Sequence, residues 1–196
     1  MSDAITIRPA RKSDASEIAL LVNIAVHGGM ARRWAEDERA EGTYQPLEVG
    51  RLEMMRDDTA FNWRSVTMAE VDGEVAGMML GYRKGDAVEA VPDDTPPFMR
   101  PIQELEAEAA GTWFISMLGV HKAWRGHKVG GTLLDVAESK RKETGAAGLA
   151  LIVEDVNDGA RRLYDRRGFR VRTSRPMVRF PGSELPGKDW LLMVKE

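Results

Sequence analysis

Cysteine is absent from this chain of 196 residues, which excludes a disulfide framework, a catalytic thiolate and a cysteine-ligated zinc ion. Histidine is scarce, with three copies in the whole sequence. His27, His121 and His127 are too scattered to indicate a metal site by their spacing. The sequence therefore predicts a protein without a bound metal.

A strong charge of one sign and long apolar runs are lacking too. The formal net charge is −3 at pH 7, which gives no reason to expect nucleic acid as the main partner. The longest apolar stretch, around residues 18–26, is interrupted by Asn23 and is too short to span a membrane. The first residues show no basic-then-apolar signal segment. We therefore expect a cytoplasmic protein with no membrane partner.

The residues that are present have the composition of an ordinary globular protein, 43% hydrophobic and 30% charged. A chain of this length can bury a substantial core. No internal repeat, low-complexity tract or linker divides it. Residues 1–196 are predicted to form a single domain.

The first third of the chain predicts a β-α-α-β-β order. The signals are a strand at Ile5–Pro9, a helix capped by Ser13 or Asp14 and ended by residues 27–29, a helix from Pro46 to about residue 56, and strands at 62–70 and 74–82. The dipeptide Asp72-Gly73 between those strands is a strong hairpin signal. Residues 30–45 are polar and give no assignment.

Residues 84–111 form a long, proline-containing connection that ends in a short predicted helix at 101–111. Connections of this length are usually functional or mobile. Seven acids against two bases give the segment a charge of −5. This pattern is compatible with a solvated loop, and also with an acidic flap over a site for a cationic amine.

The chain is organised around residues 113–132. Trp113–Val120 is an apolar run without helical spacing, which is typical of a buried strand, and helical spacing begins near Lys128 or Val129. Between them lies a basic loop with glycines at 126, 130 and 131. Glycines allow close approach of a ligand to the backbone, and a helix N-terminus favours an anion. The loop therefore indicates phosphate binding, although an ordinary tight turn has the same pattern.

The last third predicts one more helix among strands. A strand at 148–153 is expected to pair in parallel with 113–120 through a right-handed crossover. Asn157 suits the N-cap of the following helix and Gly168 the position after its end. Further strands are predicted after Phe169, near 177–180 and at 190–194, with a Pro/Gly loop at 181–187.

Two of these segments together resemble the GNAT N-acetyltransferase superfamily. Arg125-Gly-His-Lys-Val-Gly-Gly131 is similar to its acyl-CoA pyrophosphate loop, Arg/Gln-x-x-Gly-x-Gly/Ala. Asn157-x-x-Ala-x-x-Leu-Tyr164-x-x-x-Gly-Phe169 is similar to its segment on the following helix. The detailed resemblance covers residues 114–169. Two positions depart from the pattern: Lys122 replaces a frequent proline, and Lys128 replaces the first glycine of the loop.

The resemblance implies an α/β fold with a mixed sheet of about seven strands, flanked by helices and splayed between two parallel central strands, where acetyl-CoA binds. The backbone of Leu118 and Val120 would pair with the pantetheine arm, and Asn157 would hydrogen-bond to it. Backbone N–H groups of the loop would hold the pyrophosphate. These loop residues are Arg125, Gly126, His127, Lys128, Val129, Gly130, Gly131 and Thr132. The Lys128 side chain would either crowd or neutralise the phosphates.

The resemblance also implies direct attack of a neutral amine on the thioester, with Tyr164 protonating the leaving thiolate and amides near Val120 serving the oxyanion. The general base stays open among His121, Glu154, Glu104 to Glu108, and a water chain from Ser116. Seven arginines between 161 and 175 predict a solvated face, with one or two near the adenosine 3′-phosphate.

The sequence thus predicts an N-acetyltransferase that moves an acetyl group from acetyl-CoA to a primary amine of a small molecule or peptide. The alternative is a non-catalytic acyl-CoA-binding module or sensor on the same fold. A nucleotide-binding domain is disfavoured, because no Gly-Lys-Ser/Thr follows the glycine loop. Many relatives form dimers, and a homodimer is left open.

Overall fold

The computed structural model describes residues 4–37, 45–179 and 186–196. Within these ranges the helices are α1 (Ala15–Ala25), α2 (Gly29–Ala35), α3 (Pro46–Met54), α4 (Arg100–Ala107), α5 (Val129–Thr144) and α6 (Asp158–Arg166). The strands are β1 (Ile5–Pro9), β2 (Val66–Val71), β3 (Glu74–Arg83), β4 (Trp113–Val120), β5 (Leu149–Glu154), β6 (Arg170–Pro176) and β7 (Asp189–Lys195). Among the described helices, none has the length and apolar character needed to cross a membrane.

The strands form one seven-stranded sheet in the order β1-β2-β3-β4-β5-β7-β6. β4 and β5 are parallel, whereas the pairs β1–β2, β2–β3, β5–β7 and β6–β7 are antiparallel. The mixed α/β sheet predicted from the sequence is confirmed. The parallel register is short: Trp113, Phe114 and Ile115 oppose Leu149, Ala150 and Leu151, and the pairing of β4 with β5 stops there.

The chain divides into two compact units. The first comprises Met1–Gly81 with Met117–Leu133, and the second comprises Tyr82–Ser116 with Leu134–Glu196.

In the first unit, the three N-terminal helices pack together. α1 buries Ile18, Leu21 and Val22 completely. Trp34 of α2 lies against Gly50 of α3, where a Cβ atom would come within 2.5 Å of the indole ring. The Trp34 indole N–H donates to Glu53 of α3 at 2.6 Å. The packing of α2 depends on Gly50, which lies outside the polar stretch that contains α2. The residues of that stretch alone therefore did not predict a helix.

In the second unit, α4 covers one face of the strands. Its Leu105 is fully buried in a cluster with Phe114 of β4, Ala150 of β5 and Leu192 of β7. On the outer side, the guanidinium of Arg175 on β6 donates to Glu104 at 3.2 Å and to Glu108 at 2.5 Å. The buried contacts of Leu105 and the two ion pairs of Arg175 therefore fix α4 to the sheet.

Most predicted elements are confirmed, and the exceptions have local reasons. The order at the N-terminus is β-α-α-α-β-β, because α2 was not predicted. β2 starts at Val66, since Asn62 accepts from the Arg64 N–H and caps a short turn before it. Asp14 does not cap α1 through its side chain; its carboxylate instead accepts from Arg8 and from the Arg11 N–H.

At the C-terminus, the strand predicted near 177–180 is wrong for residues 177–179, which lie outside any strand. Residue 180 and positions 181–185 of the predicted Pro/Gly loop lie outside the described residues. The flanking predictions hold: β6 follows Phe169 directly, and β7 contains the whole of 190–194.

Candidate active site

The loop between β4 and α5 presents a row of backbone N–H groups without partners. Arg125, His127 and Thr132 donate within the loop, to Lys122, Trp124 and Lys128 at 3.4, 3.3 and 2.9 Å. The other five predicted loop residues have N–H groups with no hydrogen-bond partner in the described part of the chain. They are Gly126, Lys128, Val129, Gly130 and Gly131. Such a row at the first turn of a 16-residue helix is a site for an anion.

Two loop residues adopt left-handed backbone conformations. Gly126 has φ +86° and Lys128 has φ +67°. The second value explains why a glycine is typical at position 128, because an L side chain there is strained. The loop nevertheless forms with lysine in place, and its side chain is exposed. Lys128 therefore keeps the conformation of the pattern from which it departs.

The same loop carries positive charge. Lys122, Arg125 and Lys128 are all exposed, and none forms an ion pair with a described carboxylate. The Arg125 side chain donates from Nε to the carbonyl of Val120 at 3.3 Å. Three cations next to five unpaired amides give the loop the charge and geometry that bind a phosphate group.

Close backbone contacts hold the loop in place within the first unit. A Cβ atom on Gly119 would lie 2.4 Å from the Leu21 carbonyl oxygen of α1. A Cβ atom on Gly77 of β3 would lie 2.7 Å from the Gly119 carbonyl oxygen and 3.2 Å from Val129. Only glycine at positions 77 and 119 allows the backbones of α1, β3 and β4 to approach so closely. These contacts fix the start of α5 against β3 and β4.

The predicted pantetheine strand is the end of β4. Leu118 and Val120 are both half-buried, and both follow Ile115, where the register with β5 ends. The carbonyl of Val120 already accepts from Arg125. The predicted roles of Leu118 and Val120 toward the cofactor stay predictions.

Asn157 is the N-cap of α6, as the sequence predicted. Its side-chain oxygen accepts from the Ala160 N–H at 3.2 Å. The predicted contact of Asn157 with a cofactor stays a prediction.

Tyr164 lies on the inner face of α6 and is 7% exposed. Its ring is 5.8 Å from that of Phe169. Burial raises the pKa of Tyr164 to about 12, so the phenol is protonated throughout the physiological range. A neutral, buried hydroxyl is suited to donating a hydrogen bond to a developing thiolate, whose own pKa burial would also raise.

The four carboxylates and one imidazole that are candidates for the general base have different surroundings. Glu154 is buried at the end of β5. Nε2 of His121 lies 2.5 Å from Glu17 of α1. Glu104 and Glu108 both bind Arg175. Glu106 instead lies 3.7 Å from Lys84, in a half-buried position.

Two residues near Glu106 were not selected from the sequence, namely Lys84 and Tyr82. Lys84 follows the end of β3, and its N–H donates to the carbonyl of Thr112 at 2.9 Å. Tyr82 packs on Phe114 at 6.0 Å between ring centroids. The apolar alternation of β3 predicted a strand here but carried no signal for a polar function.

Most of the arginines between 161 and 175 have partners nearby, so the predicted solvated face is largely paired. Arg167 binds Asp135, Arg161 donates to the Asp155 carbonyl at 2.6 Å, and Arg170 donates to the Phe169 carbonyl at 2.7 Å. Within the described ranges, Arg162 and Arg166 of α6 have no such partner. These two stay candidates for the 3′-phosphate.

Comparison with solved structures shows the same fold over nearly the whole chain. One solved acetyltransferase is 22% identical, with a TM-score of 0.65 and coverage of 97% of this chain and 98% of that one. An N-acetyltransferase from Staphylococcus aureus Mu50 is 16% identical, with a TM-score of 0.61 and coverage of 96% and 99%. The ribosomal-protein-S18-alanine N-acetyltransferase from Escherichia coli is 14% identical, with a TM-score of 0.58 and coverage of 98% and 93%.

Among curated proteins, none matches the sequence. A family model does: the acetyltransferase (GNAT) family model matches residues 29–169, well over half of the chain. The match includes the whole loop after β4 as well as Asn157 and Tyr164. This chain therefore belongs to the GNAT acetyltransferase family and is an acyltransferase.

Proposed function

We propose that this protein transfers an acetyl group from acetyl-CoA to a primary amine of a small molecule or peptide. The observation that carries the proposal is the row of five unpaired amides at the start of α5. A pyrophosphate offers the acceptor oxygens that such a row lacks. Family membership supports acetyl transfer, and the loop supports a coenzyme A thioester as donor.

The residues present fit acetyl-CoA. The amides between Gly126 and Gly131, with the exposed cations Lys122, Arg125 and Lys128, would hold the pyrophosphate. Leu118, Val120 and Asn157 would bind the pantetheine arm. The bound thioester supplies an activated acyl group.

The chain's own contribution to the chemistry is orientation and proton transfer. Burial raises the pKa of Tyr164 and keeps its hydroxyl protonated, and that hydroxyl would donate a proton to the departing sulfur. Binding of the pantetheine along β4 would orient the thioester for attack by the amine.

We further propose that residues 1–196 work as a single domain. The chain passes from one compact unit to the other between residues 81 and 82, 116 and 117, and 133 and 134. Each of these positions falls inside a regular element, β3, β4 or α5. Boundaries between independent domains normally fall in exposed linkers.

The test has a binding arm and a turnover arm. Acetyl-CoA at about 100 times its dissociation constant should stabilise the protein by roughly 2.7 kcal/mol, seen as a rise in Tm. Thiol release should then depend on an added amine, with mass spectrometry identifying the acetylated product. The absence of a Tm shift at millimolar acetyl-CoA would contradict the donor assignment. Binding without amine-dependent thiol release would favour the sensor alternative.

A further inference from the structure

A polar cluster lies beneath α4 in the second unit, and the proposed chemistry does not yet use it. The carboxylate of Glu106 lies 3.7 Å from the ammonium of Lys84. The side chains of Tyr82 on β3 and Ser116 on β4 share a hydrogen bond. The side chains of Lys84 and Glu106 are 15% and 26% exposed. The cluster is therefore shielded from water but not sealed.

Glu106 differs from the two neighbouring glutamates of α4. Glu104 and Glu108 are four residues apart and share a helix face, which Arg175 covers by binding both. Glu106 lies halfway between them in sequence and faces the opposite way. Helical geometry thus separates one inward carboxylate from two that serve in the ion pair with β6.

Burial leaves Glu106 more basic than an ordinary carboxylate. Burial raises the pKa of Glu106, Lys84 opposes that rise, and the nearby Glu89 adds to it. Burial also raises the pKa of Tyr82, and the negative charge of Glu106 adds to that rise. A carboxylate with a raised pKa accepts a proton more readily than one in water.

We propose that Glu106 is the group that takes the proton from the acceptor's ammonium, and that Lys84 positions its carboxylate. The assignment rests on the proposed acetyl transfer. The N–H bond of the ammonium breaks, and its proton passes to Glu106. The amine nitrogen bonds to the thioester carbon, the C–S bond breaks, and the sulfur receives a proton from Tyr164. Glu106 gives up its proton to solvent, and the second N–H proton, which the nitrogen loses as it becomes an amide, restores Tyr164, so each turnover releases one proton.

The experiment compares wild type, Glu106→Gln, Glu106→Asp and the control Glu143→Gln. Glu143 forms an exposed ion pair with Lys140 on α5. Glu143→Gln therefore makes the same change of charge as Glu106→Gln, but outside the cluster around Glu106. Thiol release from acetyl-CoA is followed from pH 6 to 10 with spermidine, kanamycin and an alanyl peptide as separate acceptors.

We expect Glu106→Gln to lower kcat/KM about 100-fold or more at pH 7. The loss should shrink toward pH 10, where the free amine no longer needs a base. Glu106→Asp should recover part of the activity, and Glu143→Gln should match wild type. The KM for acetyl-CoA should change little in all variants.

A readout independent of turnover is the stability as a function of pH. Because the native pKa of Glu106 is raised, its contribution is present below the unfolded value of 4.5 and is lost as pH rises through the native value. Wild type should therefore lose stability relative to Glu106→Gln above pH 4.5, whereas Glu143→Gln should run parallel to wild type.

Each other outcome overturns a specific claim. Equal kcat/KM for wild type and Glu106→Gln at every pH overturns the base and leaves acetyl transfer standing. A loss that is constant with pH, with aspartate no better than glutamine, shows a structural role and also overturns the base. No amine-dependent thiol release by wild type with any probe overturns the proposed function and this assignment with it. If Glu106→Gln does not fold, Glu106→Asp decides by the same pH dependence.

Discussion

Glu17 and His121 are 104 positions apart in the sequence, and their side chains meet at 2.5 Å between Oε1 and Nε2. Glu17 lies in the first turn of α1, and His121 is the first residue after β4. The His121 N–H also donates to the Ala76 carbonyl of β3 at 2.9 Å. The start of the phosphate loop is therefore tied both to a helix and to a strand of the first unit.

We expect Glu17→Gln to reduce the free energy of unfolding by about 1 kcal/mol, the usual net value of one such hydrogen bond. Affinity for CoA should fall with it, because the pair fixes the start of the loop. Urea unfolding and calorimetric titration with CoA measure the two effects. Glu74→Gln, at an exposed position of β3, is the control. Unchanged CoA affinity in a destabilised Glu17→Gln would show that the pair supports the fold but not the loop.

Lys128 combines an unfavourable backbone conformation with a useful charge, and two substitutions separate them. Lys128→Ala removes the charge and keeps a side chain at φ +67°, whereas Lys128→Gly also relieves the strain. Both should weaken CoA binding about 2- to 5-fold at low salt, as expected for an exposed charge pair. The difference from wild type should shrink as salt increases.

Lys142→Ala is the matched control, because it removes the same charge at the far end of α5. Lys128→Gly should be at least as stable as Lys128→Ala, since only glycine adopts this conformation freely. Tighter CoA binding by both Lys128 variants would refute the charge role and show that the side chain crowds the loop.

Gly119→Ala tests the close contact between β4 and α1. The new Cβ atom would lie 2.4 Å from the Leu21 carbonyl oxygen, and both sides of the contact are backbone. We expect destabilisation at the upper end of the usual 1–3 kcal/mol for overpacking, or beyond it. Gly159→Ala, in α6 with no atom within 4 Å of the new Cβ, should instead be neutral or slightly stabilising. Comparable stability of the two variants in urea unfolding would contradict the contact.

Tyr164→Phe keeps the ring beside Phe169 and removes only the hydroxyl. Positioned acids usually contribute about 100- to 10,000-fold, and a thiolate is a fair leaving group, so we expect a loss of kcat near the low end. The KM for acetyl-CoA should change little, as for an interaction made mainly in the transition state. Full kcat with a good acceptor, when chemistry limits the rate, would reduce Tyr164 to a packing role.

The burial of Tyr164 has its own pH signature. Its native pKa of about 12 lies above the ordinary value of 10.0, so the native state holds this proton more tightly than the unfolded state. The stabilisation is present below pH 10 and is lost as pH rises toward 12. Wild type should therefore lose stability relative to Tyr164→Phe over that interval, by thermal or urea unfolding. Parallel curves would show that the hydroxyl reaches water.

The sequence by itself determined those parts of the protein that depend on nearest neighbours along the chain. Asp72 and Gly73 have φ values of +52° and +85°, as their hairpin turn requires. Asn157 caps α6 and Gly168, with φ +90°, follows it. β4 and the start of α5 lie where apolar spacing placed them. Each of these features follows from the conformational preferences of a few adjacent residues.

Only the tertiary structure decided which of several equivalent side chains has a special environment. Glu104, Glu106 and Glu108 are equivalent candidates in the sequence. Arg175, about 70 positions away, forms ion pairs with Glu104 and Glu108 and leaves Glu106 in a different environment. α2 gave no signal because its tryptophan docks on Gly50 of another helix. Burial, desolvation and long-range ion pairs depend on how distant segments pack, and no local pattern encodes them. Lys128 shows the same limit, since its backbone conformation is set by the loop around it.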